Sequence, residues 1–181
     1  MDLTRLYADA QAQGSLPPVE RWHPPFCGDI DMRIASDGTW FYNGTPIERT
    51  AMVQLFARIL RKEEDAYFLV TPVEKVGITV EDVPFIAVEM TASDGALTFR
   101  TSVGDVVTAG ADHPLRFEND EDGFRPYIEV RHGLEARMSR GLAQDIAALG
   151  MVVDGWFGVR SSGVFYAIAR VDKVFSKDEQ T

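Results

Sequence analysis

Two turn pairs, Asp37-Gly38 and Asn43-Gly44, bracket the short apolar run Thr39, Trp40, Phe41 and Tyr42. Both pairs tolerate positive φ and reverse the chain within a residue or two, so this stretch has room only for a tight meander of strands. The segment before it agrees. Ile30, Met32 and Ile34 alternate with Asp31, Arg33 and Ala35, the pattern of a strand with one face buried. Further on, residues 67–70, 76–80 and 84–90 read as strands, and Asp94-Gly95 supplies another turn.

An amphipathic segment follows the meander. Thr45 is placed to cap, Pro46 to take the first helical position and Glu48 to complete a capping box. Met52, Val53, Phe56, Ile59 and Leu60 then form an apolar stripe with Arg58, Arg61 and Lys62 outside it, which predicts a helix ended by Glu63, Glu64 and Asp65. In the second half, residues 97–103, 106–109, 114–117 and 126–131 are strand-like. Leu134, Met138, Leu142, Ile146 and Leu149 predict a second amphipathic helix stopped by Gly150. Residues 152–159 and 164–171 flank Ser161-Ser162-Gly163 as a closing hairpin. The first dozen residues read as a short helix, the prolines from Pro17 to Pro25 as a linker, and the polar tail from Ser176 as frayed.

Such an order of elements is α+β, with short antiparallel strands. Residues 38–44 resemble residues 104–110, and residues 84–88 resemble residues 126–130, chiefly through glycine and proline. This echo fits a duplication and equally fits two hairpins with common turn chemistry. The Asp94-Gly95 turn marks a boundary between two halves, 15–92 and 93–175, with one amphipathic helix each. The second would lack a helix between hairpin and strand and carry one afterwards.

Composition narrows the function classes. The 28 acidic and 18 basic residues leave a formal charge of −10, which repels nucleic acid and anionic lipid unless a basic patch is built locally. Arg125, Arg131, Arg137 and Arg140 are the densest group, but Glu129 and Glu135 dilute them into a salt-bridged surface. The single Cys27, with no signal-like leader and no apolar run near the roughly 20 residues of a membrane span, leads us to expect a cytoplasmic protein. Residues 118–123 with Glu129 imitate an EF-hand loop, yet the first ligand is Glu and a strand follows, so no metal is expected. With no phosphate loop, dinucleotide fingerprint or nucleophile elbow, neither a cofactor nor an enzyme is predicted.

Arg49 is the most suggestive polar residue. On the predicted helix it lies one turn before Met52 and Val53, on the core-facing stripe and at the unfavourable end of the macrodipole. A carboxylate or a bound anion would offset both costs. Glu74 is the first partner to consider, with Lys75 beside it, and a structural Arg–Glu pair is the plainer reading. Arg137 and Arg140 are further candidates, while Tyr42 and Phe85 are candidates to stack on a planar group.

The motifs DGTWFYNGTPI and FLVTPVEKVGITVEDVPF, with Arg49 between them, resemble a bacterial family known as domain of unknown function 1285, over residues 17–171. The resemblance implies an α+β protein of two related subdomains, the second resembling a pleckstrin-homology-like barrel, with a ligand site between them and a signalling role. It brings no reaction and no catalytic residue. The expectation is therefore a non-enzymatic protein that binds a small anionic or nucleotide-like metabolite. A protein-interaction module is the alternative, as is an enzyme acting through Glu74.

Overall fold

The computed structural model describes residues 3–12 and 16–174. The expected boundaries at 15 and 175 and the polar tail lie outside the described residues. The chain divides into two compact units, one running to Phe85 with residues 132–134, the other comprising residues 86–131 and the chain from Glu135. The division falls between Phe85 and Ile86, the first two residues of a strand that runs to Ser93. Asp94-Gly95 is the turn of a hairpin inside the second unit, with both residues at positive φ.

In the first unit, helix α1 (Leu3–Gln11) precedes strands β1 (Phe26–Ile34), β2 (Trp40–Tyr42) and β3 (Thr45–Pro46). Helix α2 (Thr50–Arg58) follows, then β4 (Leu60–Glu63), β5 (Ala66–Val70) and β6 (Lys75–Val80). Their sheet has the order β3-β2-β1-β6-β5-β4. The Asn43-Gly44 turn has φ of 50° and 78°, the geometry its residues favour. Met32, Ile34 and Trp40 are buried, as are Phe56 of α2, Ile59, Leu69 and Val76. Tyr7 of α1 meets Phe56 edge to face at 6.3 Å.

Helix α2 starts later and stops earlier than expected. Thr45 and Pro46 pair with Tyr42 and Phe41, and Ile47 N–H donates to Trp40 O, so the tight turn carries the chain onward as a strand. Pro46 is tolerated there because β3 is an edge. Residues 60–63 leave the helix to pair with β5, where Leu60 opposes Leu69. Leu60 is buried under either periodicity, so the apolar stripe could not mark where the helix ends.

The second unit repeats the sheet. Its strands are β7 (Phe85–Ser93), β8 (Ala96–Thr101), β9 (Val106–Thr108), β10 (Leu115–Asp120), β11 (Gly123–Arg131) and β12 (Leu134–Met138). The order β10-β11-β12-β7-β8-β9 is that of the first sheet with every strand number raised by six. The fold is thus α+β, with two similar six-stranded subdomains. The helix does move: α2 lies between the third and fourth strands of its unit, whereas helix α3 (Arg140–Ala148) follows the sixth. The sequence echo, however, matched the wrong strands. It laid β2 over β9 and β7 over β11, because shared turn residues mark hairpins and not their rank in the sheet.

The second predicted helix is a strand followed by a helix. Leu134, Ala136 and Met138 alternate inward along β12, and Ser139 then caps α3, its Oγ accepting from Leu142 N–H at 3.4 Å. Leu134 and Met138 are four apart, a spacing that both periods satisfy. Residues 118–123, the EF-hand imitation, are the two ends and turn of the β10–β11 hairpin. The three strands β13 (Met151–Val153), β14 (Trp156–Ser161) and β15 (Val164–Arg170) form a third sheet, with β14 against β8 and β15 against β10. Buried Ser161 joins them by accepting from Leu97 N–H at 2.9 Å and donating to Ala109 O at 2.7 Å. The barrel does not close.

Candidate functional site

Helix α3 buries Leu142 and Ile146, which places Arg140, Ala143, Gln144 and Ala147 on another face. Those four line one wall of a groove of about 680 Å³. Met138 and Arg137, at the end of β12, and Phe124 and Arg125, at the start of β11, line the rest, with Asp122 at the hairpin turn. The volume suits a small ligand. Alanines on the helix wall leave room, while arginines enter from helix and sheet.

Arg140 is the first residue of α3, is exposed, and has no ion-pair partner among the described residues. A cation at that end of a helix opposes the macrodipole, which a bound anion would relieve. Arg137 is half-buried. Arg125 is held more firmly: Glu118 approaches its Nη2 at 3.1 Å, Asp120 contacts the same nitrogen, and Asp122 lies 3.5 Å from Nη1. Its Nε is buried without an acceptor among the described residues. Burial opposes the charge of Arg125, but the carboxylates of Asp120 and Glu118 outweigh it and raise its pKa.

Arg116 stiffens the same hairpin. It makes a two-pronged pair with Glu135 at 2.9 and 3.0 Å, contacts Glu118 and lies over the Tyr127 ring at 4.0 Å. The Glu118 carboxyl is consequently held below its ordinary pKa, chiefly by its hydrogen bond from Arg116. Phe124 stacks on Phe117 at 5.7 Å with the rings 18° apart. The groove's sheet wall is therefore positioned by aromatic and ionic contacts together.

Of the residues singled out from sequence, Arg137 and Arg140 come together and the others do not. Arg49 does not point inward. It caps α2 through its backbone carbonyl, which accepts from Met52 and Val53, and its exposed side chain has no ion-pair partner among the described residues. With α2 starting at Thr50, the position falls outside the apolar stripe. It is Arg140, inside its helix by one residue, that meets the unfavourable end of a macrodipole.

Glu74 does not answer Arg49. It is 8% exposed in a turn where Thr71 Oγ1 accepts from its N–H, and its Oε1 has no hydrogen-bond partner among the described residues. Lys75 serves the sheet, with Nζ at 3.1 and 3.3 Å from the Glu63 carboxylate and 4.7 Å from the Phe68 ring centre. Phe85 is 1% exposed and belongs to the core, so it presents no face for stacking. Tyr42 is half-buried at the end of β2, opposite Met32. Sequence reasoning passed over Phe124 and treated Arg125 as surface. The signal available was the placement of both within one alternation period of the acidic turn, which a hairpin brings back on itself.

Among the described residues no helix is long and apolar enough to cross a membrane, and no group of three His, Cys, Asp or Glu side chains is placed to hold a metal ion. No curated protein matches the chain. Residues 17–83 match the N-terminal domain of the family described as domain of unknown function (DUF1285), and residues 84–168 match its C-terminal domain. The crystal structure of a DUF1285 family protein from Silicibacter pomeroyi DSS-3 is similar at 51% identity and a TM-score of 0.87, over 93% of this chain and 97% of that one. Another, from Shewanella baltica OS155, is 30% identical with a TM-score of 0.54, over 65% of this chain and 90% of that one. With both halves matched in order and a half-identical relative sharing its whole fold, the chain belongs to the DUF1285 family.

Proposed function

We propose that the protein binds a small anionic, nucleotide-like metabolite in the α3 groove and acts as a non-enzymatic, cytoplasmic signalling component. One observation carries the reading: Arg125, Arg137 and Arg140 converge on a single groove of ligand size, and Arg140 has no carboxylate partner among the described residues. Arg137 and Arg140 would take the anion, and Phe124, Met138 and Ala147 would contact the apolar body. Among the described residues the lining includes no Ser, Cys, His or Lys, which favours binding over catalysis.

The test is thermal unfolding of the full chain with inorganic pyrophosphate, nucleotides and phosphorylated sugars. A ligand at 100 times its Kd is expected to stabilise by about 2.7 kcal/mol. The Arg137→Ala/Arg140→Ala double variant is expected to lose that response. Equal shifts in the variant and the parent, or none in either, would refute the reading.

A second reading, a protein-interaction module, has its own support. Leu149, Met151, Val152 and Trp156 are exposed around β13, an edge strand, and Val152 is 59% exposed. Under that reading Val152→Asp abolishes association measured by sedimentation, while the anion response is unaffected.

A further inference from the structure

Among the described residues Asp122 is the only acidic one lining the groove, and it faces the arginine that is already best supplied with carboxylates. Its side chain is 84% exposed, and its contact with Arg125 Nη1, at 3.5 Å, is longer than those of Glu118 and Asp120 with Nη2. An exposed pair of this kind contributes at most about 1 kcal/mol, so little is lost when it breaks. The other two contacts do not depend on it. Asp120 Oδ1 also accepts the Asp122 N–H at 3.0 Å, which fixes the turn from below. The Asp122 side chain can therefore leave while the hairpin and the Arg125 guanidinium stay in place.

We infer that Asp122 is an internal stand-in for the ligand's anionic group: it covers Arg125 Nη1 and yields that nitrogen to an incoming anion. This rests on the proposed binding site and extends it in two ways. Arg125 becomes a third anion-binding residue, positioned by Glu118 and Asp120, so the matching ligand carries at least two separated acceptor oxygens, as a diphosphate does. Asp122 also sets a threshold. A singly charged anion loses up to about fivefold in affinity to this competition, whereas a multivalent one reaching Arg137 and Arg140 together with Arg125 outweighs it. The exchange needs only a side-chain rotation, since Phe124 and the turn backbone are held by other contacts.

Titration calorimetry of the full chain with inorganic pyrophosphate, at fixed ionic strength, tests this. Asp122→Asn keeps the side-chain shape and removes the competing charge. It is expected to bind up to about fivefold more tightly than the parent, a gain of about 1 kcal/mol. Asp154→Asn, an exposed turn substitution outside the groove lining that makes the same change in net charge, is expected to stay within about twofold. If Asp122→Asn binds no more tightly than Asp154→Asn while Arg137→Ala/Arg140→Ala still loses binding, the stand-in role is wrong and the groove survives. If neither the parent nor Asp122→Asn binds pyrophosphate, both the groove and its regulation fall.

Discussion

The Arg61 guanidinium reaches the carbonyls of Val19 and Trp22 at 2.9 and 2.7 Å and also contacts Glu63. Its side chain is largely buried, so it ties the proline-rich connector to the edge strand β4 with charge-assisted bonds that water does not readily replace. Arg61→Ala leaves two carbonyls and a carboxylate without this donor and is expected to destabilise by about 2–3 kcal/mol in urea unfolding. A loss below about 0.5 kcal/mol would mean that the contact is fully replaced by solvent. The sequence placed Arg61 on the solvent face of a helix. Arg49 and Glu74 failed in the opposite direction, since an inward guanidinium was inferred from a helix register that starts four residues too early. Side-chain direction depends on element boundaries, and those depend on which strand claims the flanking residues.

The two helices were legible as amphipathic stripes, and their ends were not. Thr45, Pro46 and Glu48 spell a capping box, but the Asn43-Gly44 turn commits the next two residues to strand pairing. In the second unit the cap is Ser139, hidden in what read as the middle of a longer helix. Ser139→Ala should cost about 1 kcal/mol and shift helix α3, hence the spacing of Arg137 from Arg140. Chemical denaturation reads the first effect, and a weakened response to pyrophosphate in thermal unfolding reads the second. An unchanged midpoint would show that tertiary packing alone fixes the start of α3. The groove itself is an element-scale feature: the sequence supplied Arg137 and Arg140, while the β11 wall appears only when β10 folds back.

Across the whole molecule, several carboxylates are tuned by basic partners. Glu63 is held low because hydrogen bonds from Lys75 and Arg61 outweigh its burial; Glu89 is lowered by Arg100, and Glu118 by Arg116. In each case the folded pKa lies below the unfolded one, so the associated stability is present above the ordinary Glu value of about 4.3 and is lost as pH falls through the folded values. The thermal midpoint is expected to hold from pH 7 to about 5 and then fall steeply. Glu63→Gln together with Glu118→Gln should flatten the fall. An acid limb of the same slope in that double variant would assign the loss to other groups.

Turn pairs and alternation were enough, in the sequence alone, to specify an α+β chain of short strands in two halves, because reversals and half-buried faces are local properties. Strand order was decided only in three dimensions. The same permutation recurs six strands later, yet glycine and proline paired the wrong hairpins when read linearly. The candidate site was likewise decided by tertiary contacts, since its groove needs a helix and the start of a hairpin strand, separated by the whole of β12, to face each other. No local pattern encodes that meeting, because it arises from the burial of Leu142 and Ile146 and of the core residues beneath β11 and β12.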